Sequence, residues 1–500
     1  MLTFAIDGVE PRQVTVEVDV RSGLPTFTVV GLGDTAVRES RERIRAAVQN
    51  AGFNFPQQRI TANLAPAAMR KAGPGFDIAI ALALLAASEQ LDIAALDGVA
   101  VFGELSLSGE LRDAPGALAV AEGARRCRVP RLVVPAQRAA EAALVDGVAV
   151  IGVDRLRRAV DVLSGRCAPG PVPASTPVRT QAPDPDLADV RGHALPIRAL
   201  QIAAAGCHSL LLEGPPGTGK TMLARRLPGI LPAMSRAEAL EVTRIHSIAG
   251  RHTGGLIERR PFRAPHHTIS VAGLVGGGVP PRPGEASLAH RGVLFLDELS
   301  EFQRPVLEGL RQPLEDGSVT IVRGQCALVF PTRTMLIAAT NPCPCGYAGT
   351  DRCRCGEADI RRYERRLSGP LLDRIDLLVN VGAPSEADLA GEPVTDTATA
   401  RDQVNAARER QLQRLRGTSA TSNGELDAAL VRRTVELDAD AQQALAHAYA
   451  SGMLSARGRH RIVRVARTIA DLGDHDRVTE SDVLLALGFR RRDHEEERVA

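Results

Sequence analysis

"EGPPGTGKTMLARRLPGI", Glu213 to Ile230, decides how the rest of the chain is read. Among 61 basic residues only two are lysine, Lys71 and Lys220, and the second falls inside this stretch. Gly214 to Thr221 follows G-x-x-x-x-G-K-T, with the apolar "SLLLEG" before it and "KTMLARRL" after it, so the spacing predicts a strand that turns through a loop into a helix. In such a loop Gly217 and Gly219 let backbone N–H groups wrap a triphosphate while the helix N-terminus adds its dipole. A compact ammonium at Lys220 fits between phosphates where a planar guanidinium would demand bidentate geometry. Thr221 is the expected Mg²⁺ ligand.

Working outward, "GVLFLDELSEF" brings Asp297 and Glu298 to the end of a second apolar run. Asp297 is placed to hold a Mg²⁺-bound water and Glu298 to polarise an attacking one. "TMLIAATN" brings Asn341 to the end of a third, within reach of a terminal phosphate or that water. Three short apolar runs ending in polar residues and separated by helical segments predict parallel strands covered on both faces.

The chain has 500 residues, more than one core usually serves, so two or three domains are expected. A net charge of +2 is too mild to point to a polyanion by itself. No apolar run is long enough to span a membrane and the N-terminus lacks signal-peptide character, which predicts a soluble, cytoplasmic protein with no membrane partner. The Pro-, Ala- and Ser-rich segment Ser164 to Asp186 reads as a flexible linker. It divides a mixed α/β domain, 1–163, from an α/β core over 187–384 and a helical domain over 385–500. In the first, "QVTVEVDV" and "LPTFTVVGL" alternate as strands, and "DTAVRESRERIRAAVQNAG" and "FDIAIALALLAASEQ" read as helices. In the last, "TESDVLLALGFRRR" offers Thr479 or Ser481 as helix cap.

"GPPGTGKTMLARRLPGILP", "FRAPHHTISVAGLVGGG", "PGEASLAHRGVLFLDELSEF", "LRQPLEDGSVTIVRG", "ATNPCPCGY" and "LSGPLLDRIDL", in this order, resemble the magnesium-chelatase-like AAA+ ATPases of the YifB/ComM type along essentially the whole chain. The resemblance implies an AAA+ P-loop core with a parallel sheet, a C-terminal helical lid, ATP and Mg²⁺ as cofactors, and a homo-oligomeric ring, normally a hexamer. ATP would be cradled by Gly214, Pro215, Pro216, Gly217, Thr218, Gly219, Lys220 and Thr221. Arg374 of "LLDRID" matches the arginine finger that reaches a neighbour's γ-phosphate, and Arg457 of "LSARGRHR" matches the sensor arginine of the lid, with Arg461 and Arg464 as substitutes. The first third resembles the Lon-protease-like domain of ribosomal-S5 type. It is expected to be non-proteolytic: "GPGFD" has Gly and Phe where the nucleophile belongs, and Lys71 is misplaced for the catalytic base.

Cys343, Cys345, Cys353 and Cys355 form two C-x-C pairs. Four thiolates in one short loop suit Zn²⁺, with reduced thiols and a redox disulfide as the other readings; His266 and His267 are outside ligand candidates. Two insertions, His246 to Gly284 and Glu315 to Thr334, read as hairpins facing a ring pore. Arg251, Arg259, Arg260, Arg263, His266, His267 and Arg323 are then expected to contact a DNA backbone, and "RRYERR", Arg361 to Arg366, to add a stacking aromatic. The family is associated with DNA branch migration during recombination of incoming DNA, which makes a DNA motor the first expectation. A chelatase-like or chaperone-like ATPase that remodels a protein partner is the alternative.

Overall fold

The computed structural model describes residues 1–490 apart from 32–34, 68–70, 72–74, 173–184, 252–253, 279–280, 324–325 and 367–368. The N-terminal unit carries strands β1 (Leu2–Asp7), β2 (Glu10–Arg21), β3 (Thr26–Val30), β4 (Arg59–Ala65), β5 (Val99–Val101), β6 (Arg131–Pro135) and β7 (Ala149–Val153). They form one mixed sheet in the order β3-β4-β2-β1-β5-β6-β7. Its helices include α1 (Thr35–Asn50), α2 (Asp77–Ala87) and α3 (Ala117–Arg126). Helix α2 is apolar on every side because it is buried from Asp77 to Leu85. Most of the expected linker, including the whole of 173–184, lies outside the described residues. Its last residue is an anchor: Asp186 Oδ1 accepts from both the backbone N and Oγ1 of Thr397 at 2.8 Å.

Past it come helix α4 (Ala194–Gly206), strand β8 (Leu210–Glu213), helices α5 (Lys220–Ile230) and α6 (Arg236–Ile248), and strands β9 (Phe262–Arg263) and β10 (Val293–Leu296). A hairpin of β11 (Ser318–Arg323) and β12 (Cys326–Pro331) precedes β13 (Met335–Thr340), helix α7 (Glu357–Glu364) and β14 (Leu377–Asn380). The five-stranded sheet runs β9-β10-β13-β8-β14 with every pairing parallel. Alternate residues feed two apolar clusters. Leu210, Leu212, Val293, Phe295, Ile337 and Ala339 face one side, and Leu211, Leu294, Leu296, Leu336 and Ala338 the other. Burial on both faces is why these strands are continuous apolar runs.

The first of these clusters continues without a break into the C-terminal helices α8 (Thr397–Arg414), α9 (Ala428–Thr434), α10 (Ala439–Ala450), α11 (Ala456–Leu472) and α12 (Glu480–Gly488), through Val404, Leu445, Ile462 and Val483. Thr479, not Ser481, is the N-cap of α12, its backbone N–H donating to Asp482 at 2.9 Å.

One expectation is corrected here and another is borne out. "RAPHHTIS" is not part of a hairpin: Phe262 and Arg263 form the edge strand of the parallel sheet, and the rest is a loop leading to a short helix, Val271–Val275. A two-residue strand is too short to show a period; it is held by Phe262 stacked on Phe295 at 5.9 Å. The β11–β12 hairpin is borne out, and its base is docked on the chain itself. Val319 and Phe330 pack with Val9, Ile245 and Leu288, while Val322 and Val329 stay exposed. Helix α6 joins this contact through Ile245 and is also bonded to the N-terminal unit, where Ser247 Oγ accepts the Gly116 N–H at 3.0 Å and Arg244 pairs with Glu122 at 2.9 Å.

Candidate nucleotide site

Parallel registry places Glu213 opposite Thr340 and Leu296 opposite Ala338, so the residues that follow these strands emerge together at one edge of the sheet. From β8 the chain turns through Gly217 and Gly219, at φ +82° and +88°, into α5. That left-handed backbone is open to glycine and costs other residues about 1 kcal/mol or more. Lys220 is buried at the start of α5, and its Nζ donates to the carbonyls of Gly214 at 2.6 Å and Pro215 at 2.7 Å and to Asn341 Oδ1 at 3.2 Å. Burial lowers its pKa, opposed by Asp297 and Glu213. Thr221 Oγ1 donates to Asp297 Oδ2 at 2.8 Å.

Glu298 follows in the left-handed region at φ +53°, with its N–H on Asp297 Oδ1 at 3.0 Å. A non-glycine residue held there is strained, and strain of this kind gathers at functional sites. Its exposed carboxylate meets His267 Nδ1 at 3.4 Å. His267 in turn lies 4.1 Å from the His266 ring and edge-on to Phe302. The structure thus brings together Lys220, Thr221, Asp297, Glu298 and Asn341. It adds His267, whose role as a partner of Glu298 no sequence spacing signalled.

The donor set fits a magnesium–nucleotide group. An ammonium satisfied only by weak carbonyl partners and one amide is poised to exchange them for phosphate, and a hydroxyl already touching a carboxylate is arranged to share a cation with it.

Arg374 is not here. It precedes β14, whose Asn380 lies level with Glu213, so Arg374 sits at the opposite end of the sheet, on the order of 15 Å away along the strands. Its guanidinium contacts Glu315 and lines a cavity of about 570 Å³ with Asp376, Arg408, Arg461 and Arg464. Arg464 is tied to Asp376 at 2.9 Å. Arg461 and Arg464 are therefore at the Arg374 end and do not substitute for a sensor at this chain's own phosphate loop. Arg457 is exposed in the first turn of α11 and makes no hydrogen bond or ion pair among the described residues.

The four cysteines converge. Sγ separations are 3.3 Å for Cys343–Cys345, 3.8 Å for Cys345–Cys353 and 3.9 Å for Cys343–Cys353, and all four sulfurs lie within 4.8 Å of one another. Backbone N–H groups of Arg354 and Tyr347 pull the Cys345 thiol down to about 6. Among the described residues no histidine joins the set, which corrects the expectation for His266 and His267.

The basic residues expected on DNA are largely engaged within the chain. Arg263 grips Glu285 at 2.6 and 2.9 Å, Arg251 reaches the same carboxylate at 3.1 Å, and Arg260 donates to the carbonyls of Pro232 and Arg291 at 2.7 Å. Arg259 is half-buried, and the side chain of Arg323 lies outside the described residues. Tyr363 does not stack on anything outside: it is buried and bonded to Ser300, because α7 uses it as its anchor. Arg361, Arg362, Arg365 and Arg366 remain exposed.

Residues 186–389 match the family described as magnesium chelatase, subunit ChlI; residues 16–138 match subunit ChlI of Mg-chelatase, and 394–490 its C-terminal family. The chain is 42% identical to the uncharacterized protein YifB of Escherichia coli K12, covering 98% of this chain and 96% of that one. It is 41% identical to the competence protein ComM of Haemophilus influenzae, over 97% and 95%. The chain belongs to the YifB/ComM family of magnesium-chelatase-like proteins. An uncharacterized protein of Mycobacterium tuberculosis is 45% identical over 98% of both chains. This AAA+ family assignment agrees with the parallel sheet and C-terminal helices. No helix among the described residues is long and apolar enough to cross a membrane.

Proposed function

We propose that this YifB/ComM-family chain is an ATP-hydrolysing ring motor that acts on DNA in the cytoplasm, remodelling or migrating branched strands. The observation that carries the reading is the separation of Lys220, Thr221, Asp297, Glu298 and Asn341 at one end of the sheet from Arg374 at the other. A single chain cannot bring both ends to one phosphate, so a neighbour's Arg374 completes the site. That calls for a closed ring, which we take as a hexamer. Bound ATP–Mg²⁺ supplies the phosphoryl group and neutralises its charge. The residues of this chain do the rest: Gly214 to Thr221 bind, Thr221 and Asp297 hold the cation and its water, Asn341 orients, and Glu298 takes the proton of the attacking water. Arg457 is assigned to the lid side of the nucleotide, and the four cysteines to one structural Zn²⁺. We take 1–163, 164–186, 187–384 and 385–500 as the N-terminal domain, linker, ATPase core and lid, and the N-terminal domain as non-proteolytic.

The DNA part of the reading is supported by full-length similarity to a competence protein and by the exposed arginines of α7. Remodelling of a protein partner is the second reading, favoured by the internal pairing of Arg251, Arg260 and Arg263. ATP turnover measured with single-stranded, duplex and four-strand branched DNA decides between them. Stimulation that is greatest on branched DNA and fades with salt supports the motor; a rate indifferent to all three supports the alternative.

A further inference from the structure

The four-cysteine loop lies against the phosphate loop. Asn341 directly follows β13, and Cys343, fully buried, comes two residues later. The backbone then tightens so that Gly346 N–H donates to the Cys343 carbonyl at 2.9 Å. Gly346 sits at φ +86°, and a Cβ on it would fall 2.5 Å from Pro216 Cδ and 3.1 Å from Pro216 Cγ. The loop's backbone is therefore pressed flat on a ring of the phosphate loop itself, at a spot with no room for a side chain.

The sulfur spacing is that of a single ion. Thiolates bound to zinc at about 2.3 Å in a tetrahedron are separated by about 3.8 Å, the edge of that figure. The edges among Cys343, Cys345 and Cys353, at 3.3, 3.8 and 3.9 Å, bracket this value, and Cys355 Sγ lies within 4.8 Å of each. A disulfide requires about 2.05 Å. Most of the segment from Pro342 to Gly356 lacks helix or strand and buries few apolar side chains, so a metal bound by the four sulfurs would be its main source of rigidity.

We propose that Cys343, Cys345, Cys353 and Cys355 bind one Zn²⁺, and that the knuckle so formed is a seat for the phosphate loop, holding Pro216 through Gly346 and Asn341 through Cys343, so that metal occupancy sets nucleotide affinity. The coupling rests on the reading of Gly214 to Thr221 as the nucleotide site. Zinc is not a reactant here. It displaces the remaining thiol protons to solvent and fixes the loop; without it Pro216 loses its backing and Asn341 its restraint.

The test uses the full chain purified without a histidine tag. Metal analysis is expected to find one zinc per chain. Binding of a fluorescent adenine nucleotide is then titrated before chelation, after it, and after zinc is restored. Removal is expected to weaken affinity about tenfold, the loss that follows when a charge-assisted contact is displaced, and restoration to recover it. Gly346→Val is expected to keep its zinc and still lose affinity, and its far-ultraviolet circular dichroism separates this from unfolding. Folded protein with far less than one equivalent of zinc overturns the proposal, as does chelated protein that binds nucleotide as tightly as before. Zinc-loaded wild type that fails to bind nucleotide overturns both this coupling and the nucleotide site, and only that result touches the site.

Discussion

Thr221 Oγ1 and Asp297 Oδ2, 76 residues apart in sequence, lie 2.8 Å from each other. The first is in the opening turn of α5 and the second caps β10, so their contact exists only because β8 and β10 flank β13 in register. Each group is a good oxygen ligand for Mg²⁺, and the proposed nucleotide site would hold the cation between them. Asp297→Asn should keep metal-free nucleotide binding within about threefold of wild type and lose the tightening that Mg²⁺ brings. Steady-state turnover should fall by about a hundredfold or more. Calorimetric titration with and without Mg²⁺ separates the two effects, and equal tightening in both proteins would remove Asp297 from the site.

Lys220 and Glu298 should fail in different ways. Lys220 fills the loop with its own ammonium, so Lys220→Ala is expected to abolish measurable nucleotide binding. Among the described residues the Glu298 side chain pairs with His267 and not with the Gly214–Thr221 loop, and Glu298→Gln is expected to bind ATP normally while turnover drops about a hundredfold or more. Wild-type turnover in Glu298→Gln would show that another group activates the water.

The distance between Arg374 and the phosphate loop makes a prediction about mixtures. Arg374→Ala and Lys220→Ala should each be inactive alone. In mixed rings some interfaces pair an intact loop from the first with an intact arginine from the second, so activity should reappear on mixing. A mixture as dead as its components would falsify the shared site.

His267 meets the carboxylate of Glu298 and no other member of the site. His267→Ala should leave nucleotide affinity unchanged and lower turnover roughly five- to tenfold, because it frees the rotamer of the strained, exposed carboxylate proposed as general base. A change in affinity with constant turnover would place His267 against the nucleotide instead.

At the far end of the sheet, buried His208 lies 3.1 Å from Asp376 and 2.8 Å from Thr468, linking the core to the C-terminal helices. Burial lowers the pKa of His208, opposed by Asp376 and reinforced by Arg464 and Arg408. Against burial, Arg464 and His208 hold Asp376 below the usual carboxylate range. Both folded values are depressed, so the unfolded chain binds more protons and stability falls as the pH is lowered. The His208 contribution is complete above its unfolded pKa of about 6.5 and is lost on going below it; that of Asp376 starts to be lost below about 4. Melting temperature should be lower at pH 5.5 than at pH 7.5, the stability from this group falling by at most about 1.4 kcal/mol per pH unit. The slope should flatten in His208→Gln. An unchanged slope would place the titrating group elsewhere.

What the sequence alone determined is what local spacing can carry. The phosphate loop, the strand ends at Asp297 and Asn341, and the helices of both terminal regions depend on neighbours a few residues away, so their periods and turn residues are visible in one dimension. The convergence of four thiols was also visible, since one short loop holds them all. Tertiary structure decided where the charges are spent. Arg260 and Arg263 read as free cations until carbonyls and Glu285 are seen beside them, and Tyr363 as a stacking ring until Ser300 is found against it. It also decided that Glu298 has His267 for company, that Gly346 lies on Pro216, and that Arg374 faces away from its own phosphate loop. Side chains far apart in sequence pair only after sheet registry and packing have set their distances, and no period along the chain encodes that.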